Sequence, residues 1–308
     1  MTIHVALAFD ENYISQFYAV AASVFCNNKN NFINFHAIVS GIGSAYKNEI
    51  QAYVEQNNGL ICFYNVPNNF GQNFRLDGNW TAATYYRLLF PSLLPQEVDR
   101  YIYIDSDTIV VGDLAQLATI DISGHVLAAV RDRLIPVRID LDIHEPYSYF
   151  NAGVLYINKI VWEEYDITNK AIEFLLNSPE KVLYADQDAL NYILKGSWLR
   201  LDTKFNMMYA DIPENLPRTK FNDFLKDKVI IHFTQHRPWN LLCENRFRYL
   251  YHKFLNQTPG RLLLANKKNM YNLNFSDIRK LGYIRIREMY FDIPFLGALW
   301  RRVKSYLK

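Results

Sequence analysis

Tyr101-Ile102-Tyr103-Ile104-Asp105-Ser106-Asp107 sets four β-favouring residues directly before two carboxylates separated by one small residue. The run reads as a buried strand that ends in acid. Side chains on a strand alternate faces, so Asp105 and Asp107 point the same way if the extended geometry continues, while Ser106 points away. Two bare carboxylates that close repel each other, and an oxygen-seeking divalent cation offsets the repulsion. Asp-x-Asp triplets also arise by chance, and Asp140-Leu141-Asp142 and Asp186-Gln187-Asp188 are two more. Neither follows a comparable apolar β run, so its place after a strand sets the first triplet apart.

Upstream, Ile3-His4-Val5-Ala6-Leu7-Ala8-Phe9 reads as another buried strand. It stops at Asp10-Glu11-Asn12, which can cap a helix from near Tyr13 to about Cys26. A strand over 32–39, a helix over 44–56 and a strand over 60–66 follow. This alternation predicts an α/β fold with one doubly wound, mostly parallel sheet, whose ligands gather outside the carboxyl ends of the strands. Asp10 and the Asp105/Asp107 pair lie at such ends and can share a crevice. Residues 79–90 read as a helix ended by Pro91, and Arg87 within it is either a surface arginine or one that faces an anion. Neither the glycine-rich dinucleotide fingerprint nor the P-loop pattern occurs, so a phosphate needs a metal or basic residues instead.

Downstream, Gly112-Asp113-Leu114 reads as a turn and residues 126–130 as a strand leading to Arg131-Asp132. The irregular residues 133–148, with two prolines, suggest a mobile loop over the site. Tyr149 to Asn158 is a strand whose entrance, Asn151-Ala152-Gly153, suggests close approach by something other than a side chain. A helix over 159–176 ends near Pro179, and Asp186 is placed to cap the next helix, with Asp188 in its first turn. Val229-Ile230-Ile231-His232-Phe233 is a last core strand. His232 is either a hydrogen-bonded core histidine or a third ligand; two carboxylates and one imidazole suit Mn²⁺ better than Ca²⁺, with Mg²⁺ the other candidate ion. Arg237 could then neutralise the remaining charge of a diphosphate.

Half of the 308 residues are hydrophobic, and 22 Tyr and 20 Phe against 12 Gly exclude a disordered or glycine-repeat chain. The amino terminus enters a strand-like run with no export-signal pattern, and no apolar run is long enough to span a membrane. Cys26, Cys62 and Cys243 sit far apart, as expected of reduced thiols in a cytosol. The net charge of +2 conceals an asymmetry: residues 261–308 hold eleven Lys or Arg against three acids, which leaves the rest net acidic.

Over about residues 3–256 the chain resembles the retaining nucleotide-sugar glycosyltransferases of family 8, the bacterial lipopolysaccharide galactosyl- and glucosyltransferases in particular. The motifs that carry the resemblance occur in the family's order. They are Ala8-Phe9-Asp10-Glu11-Asn12-Tyr13, Thr84-Tyr85-Tyr86-Arg87, Tyr103-Ile104-Asp105-Ser106-Asp107, Tyr149-Phe150-Asn151-Ala152-Gly153-Val154, Asp186-Gln187-Asp188, and His232 with Pro238-Trp239. The resemblance implies a GT-A fold and a manganese ion held by Asp105, Asp107 and His232 against the diphosphate of UDP-galactose or UDP-glucose. It implies that Ala8, Asp10 and Asn12 bind uracil and ribose, that the Ser106 backbone lines the ribose, and that Arg87, Asp132, Asn151, Asp186 and Gln187 surround the donor sugar. Gln187, with Asp186 beside it, would act at the anomeric carbon. Arg237 stands where the family carries a lysine, and Gln235-His236 where it usually has Gly-Pro, so diphosphate contacts there depart from the pattern.

The expected organisation is a transferase domain over 1–260 and a basic, aromatic segment over 261–308 that contacts an anionic membrane surface. A packing helix against the acidic body is the other use of such a segment, and no nucleic-acid-binding module accompanies it. The resemblance places the enzyme in the cytoplasm, on the inner face of a bacterial inner membrane, acting on a lipid-linked oligosaccharide acceptor. A metal-dependent phosphate-ester hydrolase or a non-catalytic nucleotide-sugar-binding protein would use the same residues.

Overall fold

The computed structural model describes residues 1–67, 70–76, 82–135, 137–146, 148–263 and 274–306. Its strands are β1 (Thr2–Asp10), β2 (Phe32–Ser40), β3 (Gly59–Tyr64), β4 (Arg100–Ile104), β5 (Thr108–Val110), β6 (Leu127–Arg131), β7 (Phe150–Asn158), β8 (Leu199–Arg200) and β9 (Ile230–His232). Among the described residues seven of them form one sheet in the order β3-β2-β1-β4-β7-β6-β8. Every neighbouring pair is parallel except β4·β7 and β6·β7. Only β7 therefore runs against the rest, and its first residues, not its last, reach the carboxyl edge of the sheet.

Both faces of the sheet are covered, which is why its central strands read as continuous apolar runs. Val5, Leu7, Phe9, Ile102 and Ile104 pack on one side with Phe17 and Val20 of the helix Ile14–Asn27. The alternate positions Ala6, Tyr101 and Tyr103 pack on the other with Phe90, Phe150 and Leu190. Each fully buried side chain of this size contributes about 1.5–3 kcal/mol.

Several local expectations need correction. The expected helix start at 79–81 lies outside the described residues, but Ala82–Leu89 is a 3-10 helix. Pro91 does not end it; proline lacks an N–H and so fits the first turn of the helix Phe90–Leu93. The helix expected over 159–176 is two helices, Lys159–Glu164 and Ile167–Asn177, broken where Asp166 adopts φ 52°. The cap before Asp186–Leu194 is Ala185, at φ 51°, and Asp186 is the first helical residue. The strand at 229–233 is buried but does not join the main sheet: β9 pairs antiparallel with β5, which sequence reading did not anticipate.

Two helices, Phe275–Asp292 and Pro294–Tyr306, are the last of the described elements. Asn274 and Asp277 cap the first reciprocally. Its inner face buries Ile284 and Phe291. Arg248 holds Glu288 through two hydrogen bonds of 2.6 and 2.8 Å, Arg246 pairs with Asp292, and Arg287 pairs with Glu244 at 2.7 Å. The docking mixes charge senses: two tail acids, Glu288 and Asp292, meet body arginines, while tail Arg287 meets body Glu244. Phe275, Ile278, Ile286, Met289 and Ile293 remain exposed, on the helix face opposite Ile284 by the 3.6-residue period.

Candidate active site

β4 ends at Ile104, and the extended geometry ends with it: Ser106 and Asp107 form a turn, closed by Thr108 Oγ1 donating to Asp105 O at 2.8 Å. The two carboxylates nevertheless converge, because β5 then pairs Thr108 opposite His232 of β9. This register sets His232 Nε2 3.1 Å from Asp107 Oδ1 and 3.9 Å from Asp105 Oδ2. One ligand atom from each of the three residues lies within 4.8 Å of the others. The donor set, two carboxylate oxygens and one imidazole nitrogen, fits a divalent cation of the Mn²⁺ or Mg²⁺ kind. Burial opposes charge at both Asp107 and His232, but their attraction wins. Asp107 is held below the usual carboxylate range, with Arg237 helping, and His232 above the usual imidazole range.

The antiparallel β7 delivers Asn151-Ala152-Gly153 beside this triad. What approaches Gly153 is a side chain after all, the His232 ring. Gly153 O accepts from Asp105 N at 2.8 Å, fixing the first acid to the strand.

Arg87 is buried, not a surface residue. It lies over the Tyr103 ring, donates to Asp105 Oδ1 at 3.1 Å and to Ala152 O, and its Nε sits 2.5 Å from Asp186 Oδ2. That last pair is a close ion pair without hydrogen-bond alignment, so Asp186 Oδ2 is buried with no hydrogen-bond donor. Desolvation raises the Asp186 carboxyl to about 7 despite the Arg87 charge. Gln187 Oε1 accepts from Ala152 N at 2.9 Å. Asp132 accepts from Leu134 N at 3.0 Å and from Asn151 Nδ2 at 3.2 Å.

These residues line a crevice of about 350 Å³ along with Ala8, Asp10, Ser106 and Arg237. Asn12 is the exception among the sequence-predicted positions: it is outside the lining, and its backbone N–H donates to the capping Asp10 carboxylate at 2.9 Å. Leu134 and Ile135 bring the start of the 133–148 segment to the crevice wall. Asp188 turns away from it, into a cage formed by Leu183 N, Tyr184 N, Arg138 and Tyr149 Oη. Asp140 pairs with Arg138, and Asp142 with Lys195 and His144, so that triplet is held by salt bridges. Sequence reasoning missed Tyr103, whose hydroxyl donates to Asp105 at 2.8 Å, although two-residue spacing on a strand places them on one face. It also missed Asn206, fully buried and bonded to His232 Nδ1 at 3.0 Å. A lone amide between Phe205 and Met207-Met208 was the available signal.

A mostly parallel α/β sheet with one reversed strand, and an acid-lined crevice at its carboxyl edge, is the GT-A architecture. The galactosyltransferase LgtC, solved with donor and acceptor sugar analogues, superposes with a TM-score of 0.72 at 23% identity, covering 90% of this chain and 100% of that one. The model for glycosyl transferase family 8 matches residues 4–243, and the chain belongs to that family. It is 28% identical over 246 residues to a lipopolysaccharide 1,2-glucosyltransferase of Escherichia coli K12, covering 77% of this chain and 73% of that protein. It is 26% identical over 247 residues to a lipopolysaccharide 1,3-galactosyltransferase of Salmonella typhimurium, with the same coverage of each. Among the described residues no helix is long and apolar enough to cross a membrane.

Proposed function

We propose that the protein transfers galactose or glucose, with retention, from a UDP-sugar to a saccharide acceptor of the lipopolysaccharide or lipooligosaccharide core. The observation that carries this reading is the convergence of the Asp105/Asp107/His232 triad with Arg87, Asp132, Asn151, Asp186 and Gln187 in one crevice.

Breaking the sugar–phosphate bond builds negative charge on UDP and positive character on the anomeric carbon. Asp105, Asp107 and His232 would hold Mn²⁺, with Mg²⁺ the alternative ion, and the bound cation would neutralise charge on the leaving diphosphate. Arg237, at the same end of the crevice, serves the remaining phosphate charge. Ala8, Asp10 and the Ser106 backbone take uracil and ribose at the β1 edge. The Asp186 carboxylate, which borders the crevice beside Arg87, accepts from a hydroxyl of the hexose, and Asp132 and Asn151 frame the rest of the ring. The Gln187 amide oxygen keeps a second lone pair for the oxocarbenium-like carbon.

Double displacement would need a carboxylate nucleophile, and Asp186 is the nearest acid. Its pairing with Arg87 and its raised pKa both weaken it in that role. Front-face substitution fits better: the C–O bond to UDP breaks, the acceptor oxygen bonds to the same face, and a UDP phosphate oxygen takes the acceptor's proton.

The acceptor is lipid-linked, so the protein works at the cytoplasmic face of the inner membrane. The exposed stripe Phe275, Ile278, Ile286, Met289 and Ile293, beside exposed Arg279 and Arg285, supports contact of residues 261–308 with anionic lipid. The deciding experiment incubates the protein with Mn²⁺ and a panel of UDP-sugars, with and without truncated lipooligosaccharide acceptors. Acceptor-dependent UDP release is the expected result. Equal release without acceptor would make the protein a hydrolase, and no release with any donor would leave it a binding protein.

A further inference from the structure

His232 Nδ1 faces Asn206 Oδ1 at 3.0 Å, and Asn206 Nδ2 donates to Asn151 Oδ1 at 2.9 Å. Asn151 Nδ2 in turn donates to Asp132 Oδ2 at 3.2 Å. The direction of this chain is not arbitrary. Asp132 Oδ2 accepts, so it takes the amide nitrogen of Asn151. Gly153 N independently donates to Asn151 Oδ1 at 3.0 Å and fixes the same orientation. Asn206 must then turn its nitrogen to Asn151 and its oxygen to His232. An amide oxygen cannot donate, so Nδ1 of His232 carries the hydrogen and Nε2 faces the two carboxylates.

Asn206 is itself pinned. It is 0% exposed, and its neighbour Met207 is stitched to β9 by Met207 N to Ile230 O and His232 N to Met207 O, both 2.9 Å. We propose that Asn206 is a positioning residue that presents Nε2 of His232 to a divalent cation and, through its other end, ties that ligand to the sugar-facing amide of Asn151. One side chain would thereby keep the leaving-group end and the sugar end of the crevice in register. The inference rests on the reading of Asp105, Asp107 and His232 as a metal site.

The test compares full-length wild type, Asn206→Asp and Asn206→Leu by Mn²⁺ binding in the absence of donor, followed by steady-state kinetics and thermal unfolding of the metal-free proteins. Asn206→Asp keeps an acceptor for His232 but has no donor for Asn151. It is expected to hold Mn²⁺ within about threefold of wild type while kcat falls at least about tenfold. Asn206→Leu loses both ends, and removal of such a ligand-orienting partner weakens metal affinity about 10–100-fold. A metal site that fails in the wild type would overturn the metal reading itself. Wild-type binding with an equal loss in both variants, or with no loss in Asn206→Leu, would overturn the role of Asn206 alone. If Asn206→Leu does not fold, Asn206→Asp decides the matter by its split between metal affinity and turnover.

Discussion

Gly153 lies so close under His232 that a Cβ at position 153 would stand 2.1 Å from the ring Cε1 and 2.7 Å from Nδ1. The same atom would lie 2.9 Å from Asp105 Oδ2, so one methyl group would press on two of the three proposed ligands. Gly153→Ala is expected to cut metal-dependent turnover by about 100-fold, since a displacement of about 1 Å in a positioned group can cost that much. Mn²⁺ binding and kcat together check it, and wild-type values in the alanine variant would refute it.

Asp186 and Gln187 are separable by substitution. Front-face chemistry predicts that Asp186→Asn retains turnover, with donor KM raised about 10–100-fold for the loss of a hydrogen bond to a charged acceptor. Gln187→Ala should lower kcat by about 10²–10³ while donor KM moves little. A covalent glycosyl-enzyme trapped in the Gln187 variant, or complete inactivity of Asp186→Asn, would restore double displacement.

Far from the crevice, His36 on β2 bonds Tyr64 Oη at 2.8 Å and His4 Nδ1 at 3.0 Å. Burial, and then the His4 charge, hold its pKa down to about 3. The unfolded chain takes up this proton near pH 6.5, so its stabilising effect is complete above that pH and is lost as pH falls toward 3. The slope is about 1.4 kcal/mol per pH unit for one group. The thermal midpoint of His36→Phe should therefore decline less than that of the wild type between pH 6.5 and 4.5. Parallel curves would show that the cluster does not control the acid limb.

The membrane reading is tested by substitution, not truncation. Cutting near Asn274 would remove Glu288 and Asp292 from Arg248 and Arg246, and with them the buried Ile284 and Phe291, so a truncation would mix lost packing with lost membrane contact. The double change Ile286→Glu with Met289→Glu leaves that docking intact and alters only the exposed stripe. It should abolish co-sedimentation with anionic liposomes without shifting the thermal midpoint. Pelleting equal to wild type would remove the stripe from the membrane contact.

The repeating strand and helix from Thr2 to Tyr64 were legible because each element carries its own period, and Asp105 with Asp107 because theirs is the Asp-x-Asp triplet, of three in the chain, that follows an apolar β run. His232 was legible as a candidate, but not the reason it reaches Asp107. That reason is β5, three residues long and paired with a partner more than a hundred positions away. The reversal of β7 was equally hidden: a strand buried on both faces looks the same in either direction. Asp186 reads as a cap from its position alone; Ala185 at positive φ and the Arg87 guanidinium take it out of that role. The tail's composition suggested a basic surface, whereas its docking depends on which individual acids meet Arg246 and Arg248.

Among the described residues, Asp10, Asp105, Asp107, Asp132 and Asp186 border the crevice against Arg87, Arg237 and His232, and Arg87 is already engaged by Asp105 and Asp186. A diphosphate arriving alone would meet a wall mostly of its own sign, so charge would act as a gatekeeper on the order of arrival. Donor recognition should be conditional on a divalent cation. Calorimetric titration with UDP is expected to show little binding in chelator and strong binding once Mn²⁺ is restored. Equal affinity in both would mean that Arg87 and Arg237 suffice to admit the nucleotide unaided.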